Sequence, residues 1–400
     1  MTLIYKDDAV QGPAVHALVI GVGAYPLAKP ANKKAGTPKA LRDVADIDSA
    51  AKSAELFADW LIGEAKCSLP LGSIAMLKNA QTASGSTYVW NDRFHRPGTD
   101  PRPDGLVAVP ETAVVKTAGV DWSARLEAVQ GSIGILFACG HGGSIGPDPM
   151  LFLADLNGDP AAEWGAFLNL GQVATGLKQI PAVAAAHIFV DACGEFIADM
   201  VLQDQGKGAK FLKVDPYKKN KEKVSLITAA AANHLAFEDT PESGGRFTIS
   251  LLRALRGASA RSHSGMAEWT IRPQDIFSDL EGLYGIEPTW TDPFEPAAPH
   301  MPSKPSTIVQ FTEPPTVYRK IAFDPAPAIN LCDLMVLDSN GPPPLYQFPK
   351  NGSVQWLLQM TASIFPHRLV AEFPGGQYPK MEAVFTPAQS VYDHVMRCGP

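Results

Sequence analysis

Apolar residues in this chain gather in short unbroken runs that end at glycine or another small residue, with stretches of helical period between them. Residues 16–23 read His-Ala-Leu-Val-Ile-Gly-Val-Gly, 133–139 read Ile-Gly-Ile-Leu-Phe-Ala-Cys, and 187–191 read His-Ile-Phe-Val-Asp; further runs fall at 74–77 and 225–232. Runs this short and without polar alternation predict strands buried on both faces, the pattern of a parallel sheet. Val44, Ile47, Ala51, Ala54, Phe57, Ala58 and Leu61 share one stripe of an amphipathic helix over 44–63. Helices are also predicted over 111–130, 170–179 and 247–255, and a small hairpin arm at 151–155. Strands alternating with helices predict an α/β fold, a doubly wound and mostly parallel sheet with helices on both faces.

Three stretches depart from this rhythm. Residues 91–110, with Arg96-Pro97-Gly98 and Asp100-Pro101-Arg102-Pro103-Asp104, read as a surface insertion. Residues 206–223 carry Lys207, Lys210, Lys213, Lys218, Lys219, Lys221 and Lys223 and read as a flexible basic linker. Beyond about residue 290 proline becomes frequent. The expected organisation is therefore a core domain over 1–290, made of a larger part (14–203), the linker (204–224) and a smaller part (225–285). A smaller, mostly β or irregular C-terminal module follows at 300–400, its role open.

Composition narrows the functional classes. The 400 residues are 46% hydrophobic, enough for a substantial core, and the net charge of −7 argues against a nucleic-acid-binding surface. The first ten residues lack the apolar stretch of a signal peptide, and no apolar run approaches the ~18–20 residues that cross a bilayer. Five cysteines, at 67, 139, 193, 332 and 398, are scattered without C-x-x-C spacing. Neither a disulfide framework nor a metal site is indicated, and a reducing, cytoplasmic location without membrane or nucleic-acid partners is expected.

The ends of two strands carry the chemistry. One run stops at Gly140-His141-Gly142-Gly143, the other at Ala192-Cys193-Gly194-Glu195. Two such strands would deliver an imidazole and a thiol to the carboxyl edge of the sheet, and a Cys–His pair suffices for covalent acyl transfer. His141 precedes Cys193 by 52 positions, and with Asp191-Ala192-Cys193-Gly194-Glu195 this pair resembles the caspase-like cysteine peptidases: caspases, metacaspases and their bacterial relatives. The likeness spans roughly 14–285 and includes Ala45-Asp46-Ile47-Asp48-Ser49-Ala50, the segment from Thr228 to Asp239, and Gly244-Gly245-Arg246-Phe247-Thr248. Residues 300–400 resemble no known family.

The resemblance implies a cysteine endopeptidase acting without a cofactor. Cys193 would be the nucleophile, His141 the base and then the acid, and the N–H groups of Gly142 and Cys193 the oxyanion hole. Asp191, where caspases have Gln, looks like the metacaspase pattern; Asp48 falls where metacaspases place another pocket acid, and Glu238 near a caspase pocket Arg. Three acids predict cleavage after Arg or Lys. Such enzymes cut protein or peptide substrates in regulatory, cell-death or defence pathways, and an upstream protease or regulatory protein is an expected partner. The lysine-rich linker lies where zymogens of the family are processed. Cys139, inside its strand, is expected to point away from the active edge or into the core. Two rival readings remain. Gly142-Gly143-Ser144-Ile145-Gly146 matches the serine-hydrolase elbow, with Asp191 and His234 following in triad order, although Pro147 and Pro149 oppose the helix an elbow needs. The other is a pseudopeptidase scaffold binding partners through the C-terminal module.

Overall fold

A computed structural model describes residues 3–28, 44–80, 107–145, 147–159, 162–194, 208–232, 234–240, 243–262, 268–287, 289–304, 306–338, 341–348, 355–387 and 392–398. The insertion expected at 91–110 lies almost wholly outside them. The chain divides into two units, Met1–Leu252 with Asp292–Ser306, and Arg253–Thr291 with Thr307–Pro400. The boundary drawn from sequence, near 290–300, assigns 253–291 differently.

In chain order the first part runs β1 (Leu3–Lys6), β2 (Val15–Val22), α1 (Asp48–Gly63), β3 (Leu71–Asn79), α2 (Thr112–Ala128), β4 (Ile133–Cys139), β5 (Gly142–Ile145), β6 (Asp148–Phe152), β7 (Phe167–Asn169), α3 (Leu170–Lys178), β8 (Ala185–Asp191) and β9 (Val224–Thr228). Then come β10 (Glu238–Thr240), β11 (Gly244–Gly245), α4 (Arg246–Arg253), β12 (Trp269–Ile271), α5 (Pro273–Tyr284) and β13 (Ala297–His300). One seven-stranded sheet has the order β1-β3-β2-β4-β8-β9-β13. Its five inner strands are parallel and are the five apolar runs; β1 and β13 close the two edges antiparallel. The fold is mixed α/β. The edge strands went unread because Leu3–Lys6 is too short to show a period and β13 contains Pro299, a residue confined to edges. The expected arm at 151–155 is β6, the middle strand of a small antiparallel sheet β5-β6-β7.

Period-two alternation sorts the inner strands onto two faces. Leu18, Ile20, Val22, Leu136, Ala138, Ile188 and Val190 share a buried cluster with Trp122 of α2 and Val173 and Leu177 of α3. Phe137 and Phe189 point the other way, against Phe57 of α1, with ring centroids at 4.5 and 6.1 Å. Glycine lets α1 approach this closely, since a Cβ on Gly21 would meet Ala50 O at 2.6 Å.

The second unit is β-rich. A three-stranded sheet pairs Thr316–Asp324 with Gln355–Thr361 and Tyr392–Arg397. A four-stranded one has Gly341–Phe348, Asp333–Asp338, His367–Glu372 and Met381–Phe385 in that order. They face each other: Val317, Ile321 and Phe323 alternate inward, and Arg319 lies over the Phe385 ring at 5.2 Å.

Two histidines, His187 buried and His16 half-buried, lie as neutral groups between strands of the first unit. His16 Nδ1 pairs with Ser73 Oγ at 2.9 Å, and His187 pairs through Nδ1 with Ser225 Oγ (2.9 Å) and through Nε2 with Ser306 Oγ (3.3 Å). Burial lowers His187 to about 3 and His16, helped by Arg125, to about 4. A base depressed in the folded state binds fewer protons there than in the unfolded chain. Its stabilisation is therefore complete above the ordinary value of about 6.5 and is lost as pH falls toward 3. Between pH 7.5 and 5, His187 alone should remove about 2 kcal/mol. Urea midpoints at the two pH values, compared between wild type and His187→Asn, check this; an equal slope in both proteins contradicts it.

Candidate active site

The β4–β8 ladder sets the site. It is parallel and pairs Ile133 with Ala185 through to Cys139 with Asp191, and Gly140 N–H donates to Asp191 O at 3.2 Å just beyond. His141 and Cys193 each follow two residues after the last register pair. They leave neighbouring strands at the same level, on strands ~4.8 Å apart. Both are half-buried.

His141 is held at three points. Its N–H donates to the Tyr25 hydroxyl (2.8 Å), its ring packs tilted against the Tyr25 ring at 5.2 Å, and its Nε2 lies 2.9 Å from Ala45 O. A carbonyl only accepts, so Nε2 carries the proton and Nδ1 is left as the basic nitrogen. Tyr25 is itself fixed: its hydroxyl donates to Val22 O (3.3 Å), its N–H to Asp46 Oδ1 (3.1 Å), and burial pushes the phenol up so that it stays neutral. Asn79 ties the loop before it, accepting from Gly23 and Ala24 N–H and donating to Ala24 O at 2.7 Å.

Cys193 faces the loop 234–237. Ala236 N–H donates to its sulfur at 3.4 Å, a contact of the kind that stabilises a thiolate, and Gly194 N–H donates to His234 O at 2.9 Å. This loop comes so near that a Cβ on Gly194 would meet Ala231 O at 2.1 Å. Phe152 N–H donates to His141 O, so in the antiparallel β5–β6 ladder the next pair, Gly142 with Leu151, is a non-hydrogen-bonded one. The Gly142 N–H therefore points away from β6, on a residue whose absent Cβ would meet Ala192 Cβ at 2.7 Å and Cys193 O at 3.0 Å. The Cys193 N–H is the second oxyanion donor that the family resemblance implies.

Beside the sulfur lies a small pocket of about 40 Å³, open to solvent and lined by Ile47, Ser49, Cys139, Asp191, Cys193, Ala236, Phe237, Glu238 and Gly245 among others. Asp191 forms part of the lining although only 5% exposed. Its Oδ2 accepts from Thr248 N–H (3.2 Å) and Oγ1 (2.5 Å), and a Cβ on Gly245 would sit 2.2 Å from that oxygen. Burial lifts its carboxyl to about 6, opposed by the Thr248 hydrogen bonds and the Cys139 thiol. Glu238, on exposed β10, accepts from Ser49 Oγ at 2.6 Å. Asp48 opens α1 half-buried; its neighbours Ile47 and Ser49 line the pocket, and among the described lining residues Asp48 is not one.

Cys139 is buried, 4% exposed, on the same face as Phe137, and it also lines the pocket beside Asp191 and Cys193. Burial first, then the Asp191 charge, push its thiol well up. Ser144 is not at an elbow. It lies on β5, 5% exposed, its hydroxyl donating to Gly194 O at 3.0 Å, and a hairpin to β6 follows instead of a helix. His234 instead pairs with Glu295 at 3.2 Å.

The basic segment, read from its lysines as a flexible linker, makes contacts over its described part, 208–223. Phe211 meets Trp122 edge-on at 6.4 Å and abuts Gly119 of α2, Leu212 abuts Gly176 of α3, and Lys223 Nζ donates to Ile180 O and Val183 O. Gln179 holds Asp215 from both sides, through Asp215 N–H (2.9 Å) and Asp215 O (3.0 Å). Between these anchors Lys213, Lys218, Lys219 and Lys221 are exposed, as is Lys210 before them; Lys207 lies outside the described residues.

Sequence analysis missed Tyr25, Ala45, Ser49 and Thr248. A backbone acceptor such as Ala45 O has no side-chain signature, but Tyr25 two residues after the first strand's glycine was available. Among the described residues no group of His, Cys, Asp and Glu could hold a metal ion, and no helix is long and apolar enough to cross a membrane.

The five cysteines should separate under alkylation. Cys193 is half-buried at an open pocket, whereas burial pushes Cys67 up to about 12 and Cys139 well up. Peptide mapping after limiting iodoacetamide at pH 7.5 is expected to find Cys193 modified first; equal labelling of Cys139 contradicts the assignment.

No protein-family model matches the chain. It is similar to an uncharacterized protein, y4kE, from Sinorhizobium fredii, 28% identical over 195 residues, which are 48% of this chain and 52% of that protein. The chain thus matches about half the length of that curated relative. Among solved structures it is similar to caspase-1 from Spodoptera frugiperda at a TM-score of 0.39 and 9% identity, over 73% of this chain and 88% of that one.

Proposed function

We propose that the chain is a caspase-like cysteine endopeptidase that cleaves protein substrates after Arg or Lys. The observation that carries this reading is the β4–β8 register, from which His141 and Cys193 emerge side by side above an acid-lined pocket. His141 Nδ1 takes the thiol proton, and the Cys193 thiolate attacks the scissile carbonyl. The developing oxyanion is met by the N–H groups of Gly142 and Cys193, each such donor being worth ~2.7–4 kcal/mol in the transition state. The imidazolium then protonates the leaving amine, and water cleaves the thioester with His141 again as base. Ala45 O keeps the tautomer and stabilises the imidazolium, the part a carboxylate plays in a triad.

Hydrolysis of matched fluorogenic peptides ending in Arg, Lys or Asp, by wild type and Cys193→Ala, tests the reading. Cleavage after Arg or Lys, abolished in the variant, is expected. Cleavage after Asp would keep the dyad and overturn the pocket, and silence that persists after limited proteolysis would favour the scaffold. Asp191 is ionised only above about 6, so kcat/KM for the cationic peptides should fall as pH drops through 6, chiefly through KM. A profile flat to pH 5 contradicts a cation bound at Asp191.

The basic segment gives the enzyme a substrate in its own chain. Exposed Lys213, Lys218, Lys219 and Lys221 offer the required side chain, and exposed loops are preferred nicking sites. Incubated wild type is expected to yield fragments with new termini within 207–223, and Cys193→Ala none. A fully active preparation that stays intact would show that processing is not required.

A further inference from the structure

Helix α1 grips the β10–β11 hairpin with two serines one turn apart, and the two grips differ. Ser53 Oγ accepts the Gly245 N–H at 2.8 Å, a backbone contact that sets where the hairpin lies. Ser49, 2% exposed, donates its hydroxyl to Glu238 Oε2 at 2.6 Å, a side-chain contact that sets where a charge points. An exposed glutamate without such a donor spreads over its rotamers in water and is screened there. A buried donor at a charge-assisted distance removes that freedom.

The held charge belongs to a two-acid pocket. Asp191 lies in its floor with Oδ2 committed to Thr248, and Glu238 joins the lining from exposed β10 with Oε2 committed to Ser49. Both negative charges act on the same Cys139 thiol, so they lie within electrostatic range of one atom. Ile47, Ala236 and Phe237 supply apolar wall for a side-chain stem. An ammonium is a compact, strongly hydrated charge that meets two carboxylates only where both converge on one point, as Glu372 and Glu382 do on Lys380 at 3.2 Å each, whereas a guanidinium carries donors on two edges of a rigid plane and can span carboxylates set further apart.

We propose that Ser49 is a specificity-determining positioning residue: by fixing the Glu238 carboxylate it lets a guanidinium bridge Asp191 and Glu238, and so makes the pocket select Arg over Lys. This rests on the peptidase reading and is tested so that the two can fail separately. kcat/KM is measured for paired Arg and Lys peptides with wild type, Ser49→Ala, Glu238→Gln and the double variant. Wild type should favour Arg by roughly tenfold or more, and Ser49→Ala should lower the Arg value roughly five- to tenfold through KM, several-fold more than the Lys value. Glu238→Gln should do the same, and the double variant should be no worse than Glu238→Gln alone. Equal losses for both peptides, or losses that multiply in the double variant, mean that Ser49 merely holds the hairpin, and overturn the proposal.

Binding provides a readout free of turnover. The Cys193→Ala protein is titrated calorimetrically with acetylated tetrapeptide amides ending in Arg, Lys or citrulline, with and without Ser49→Ala. Arg should bind more tightly than Lys, citrulline weakest, and Ser49→Ala should close the Arg–Lys gap. That pattern in a protein that hydrolyses nothing retains this inference and sinks the peptidase reading. Hydrolysis of both peptides at equal efficiency does the reverse, and neither binding nor hydrolysis sinks both.

Discussion

The parallel ladder between β4 and β8 is the constraint on which the site depends. Because side chains alternate, a slip of one residue would turn Cys139 or Asp191 to the opposite face of the sheet and shift the points at which His141 and Cys193 leave it. Slippage is opposed by both faces at once: Phe137 and Phe189 are committed to Phe57 of α1, while Leu136, Ala138, Ile188 and Val190 are committed to the cluster under α2 and α3. A strand buried on both sides has no register in which either face is indifferent. The reactive groups thus stand on the part of the fold that opens last, and the loops above inherit their position from it.

What the ladder does not fix is the orientation of the imidazole, and a chain of small contacts supplies it. Asn79 at the end of β3 organises residues 23–25, Tyr25 takes the His141 amide and donates its own N–H to Asp46, and the carbonyl of Ala45 next door meets Nε2. Three consecutive strands of the sheet, β3, β2 and β4, therefore cooperate to aim one ring. Choosing a carbonyl instead of a carboxylate as orienter avoids placing a further anion beside a thiolate, in a neighbourhood where Asp191 is already buried.

The inner strands and helices were legible because burial on both faces leaves an unbroken apolar run, and His141 and Cys193 stood out because each closes such a run among small residues, Gly140 and Gly142 in one case, Ala192 and Gly194 in the other. The edges were not, since Leu3–Lys6 is too short to show a period and Ala297–His300 carries a proline and buries little. Cys139 was legible only in part: its position inside the run implied burial, and it is 4% exposed, but not that it would also line the pocket beside Cys193. The anchoring of the basic segment could not be read at all, because it comes from Phe211, Leu212 and Gln179 meeting α2 and α3 across long separations in sequence, and lysine content says nothing about such contacts.

Burial of charge elsewhere in the chain gives Asp191 its meaning. Lys78 is fully buried and pairs with Glu55 at 2.5 Å; Asp279, 7% exposed in the second unit, receives both Arg261 contacts at 2.7 and 2.8 Å. Asp191 is buried as deeply, but its contacts are the Thr248 hydroxyl and amide and the Cys139 thiol, all neutral donors. Neutral donors satisfy the lone pairs without offsetting the desolvation of the charge, which is why the carboxyl rises to about 6. Among the described residues, this buried acid has hydrogen bonds but no counter-charge, so a cation entering the pocket beside Cys193 would offset its desolvation.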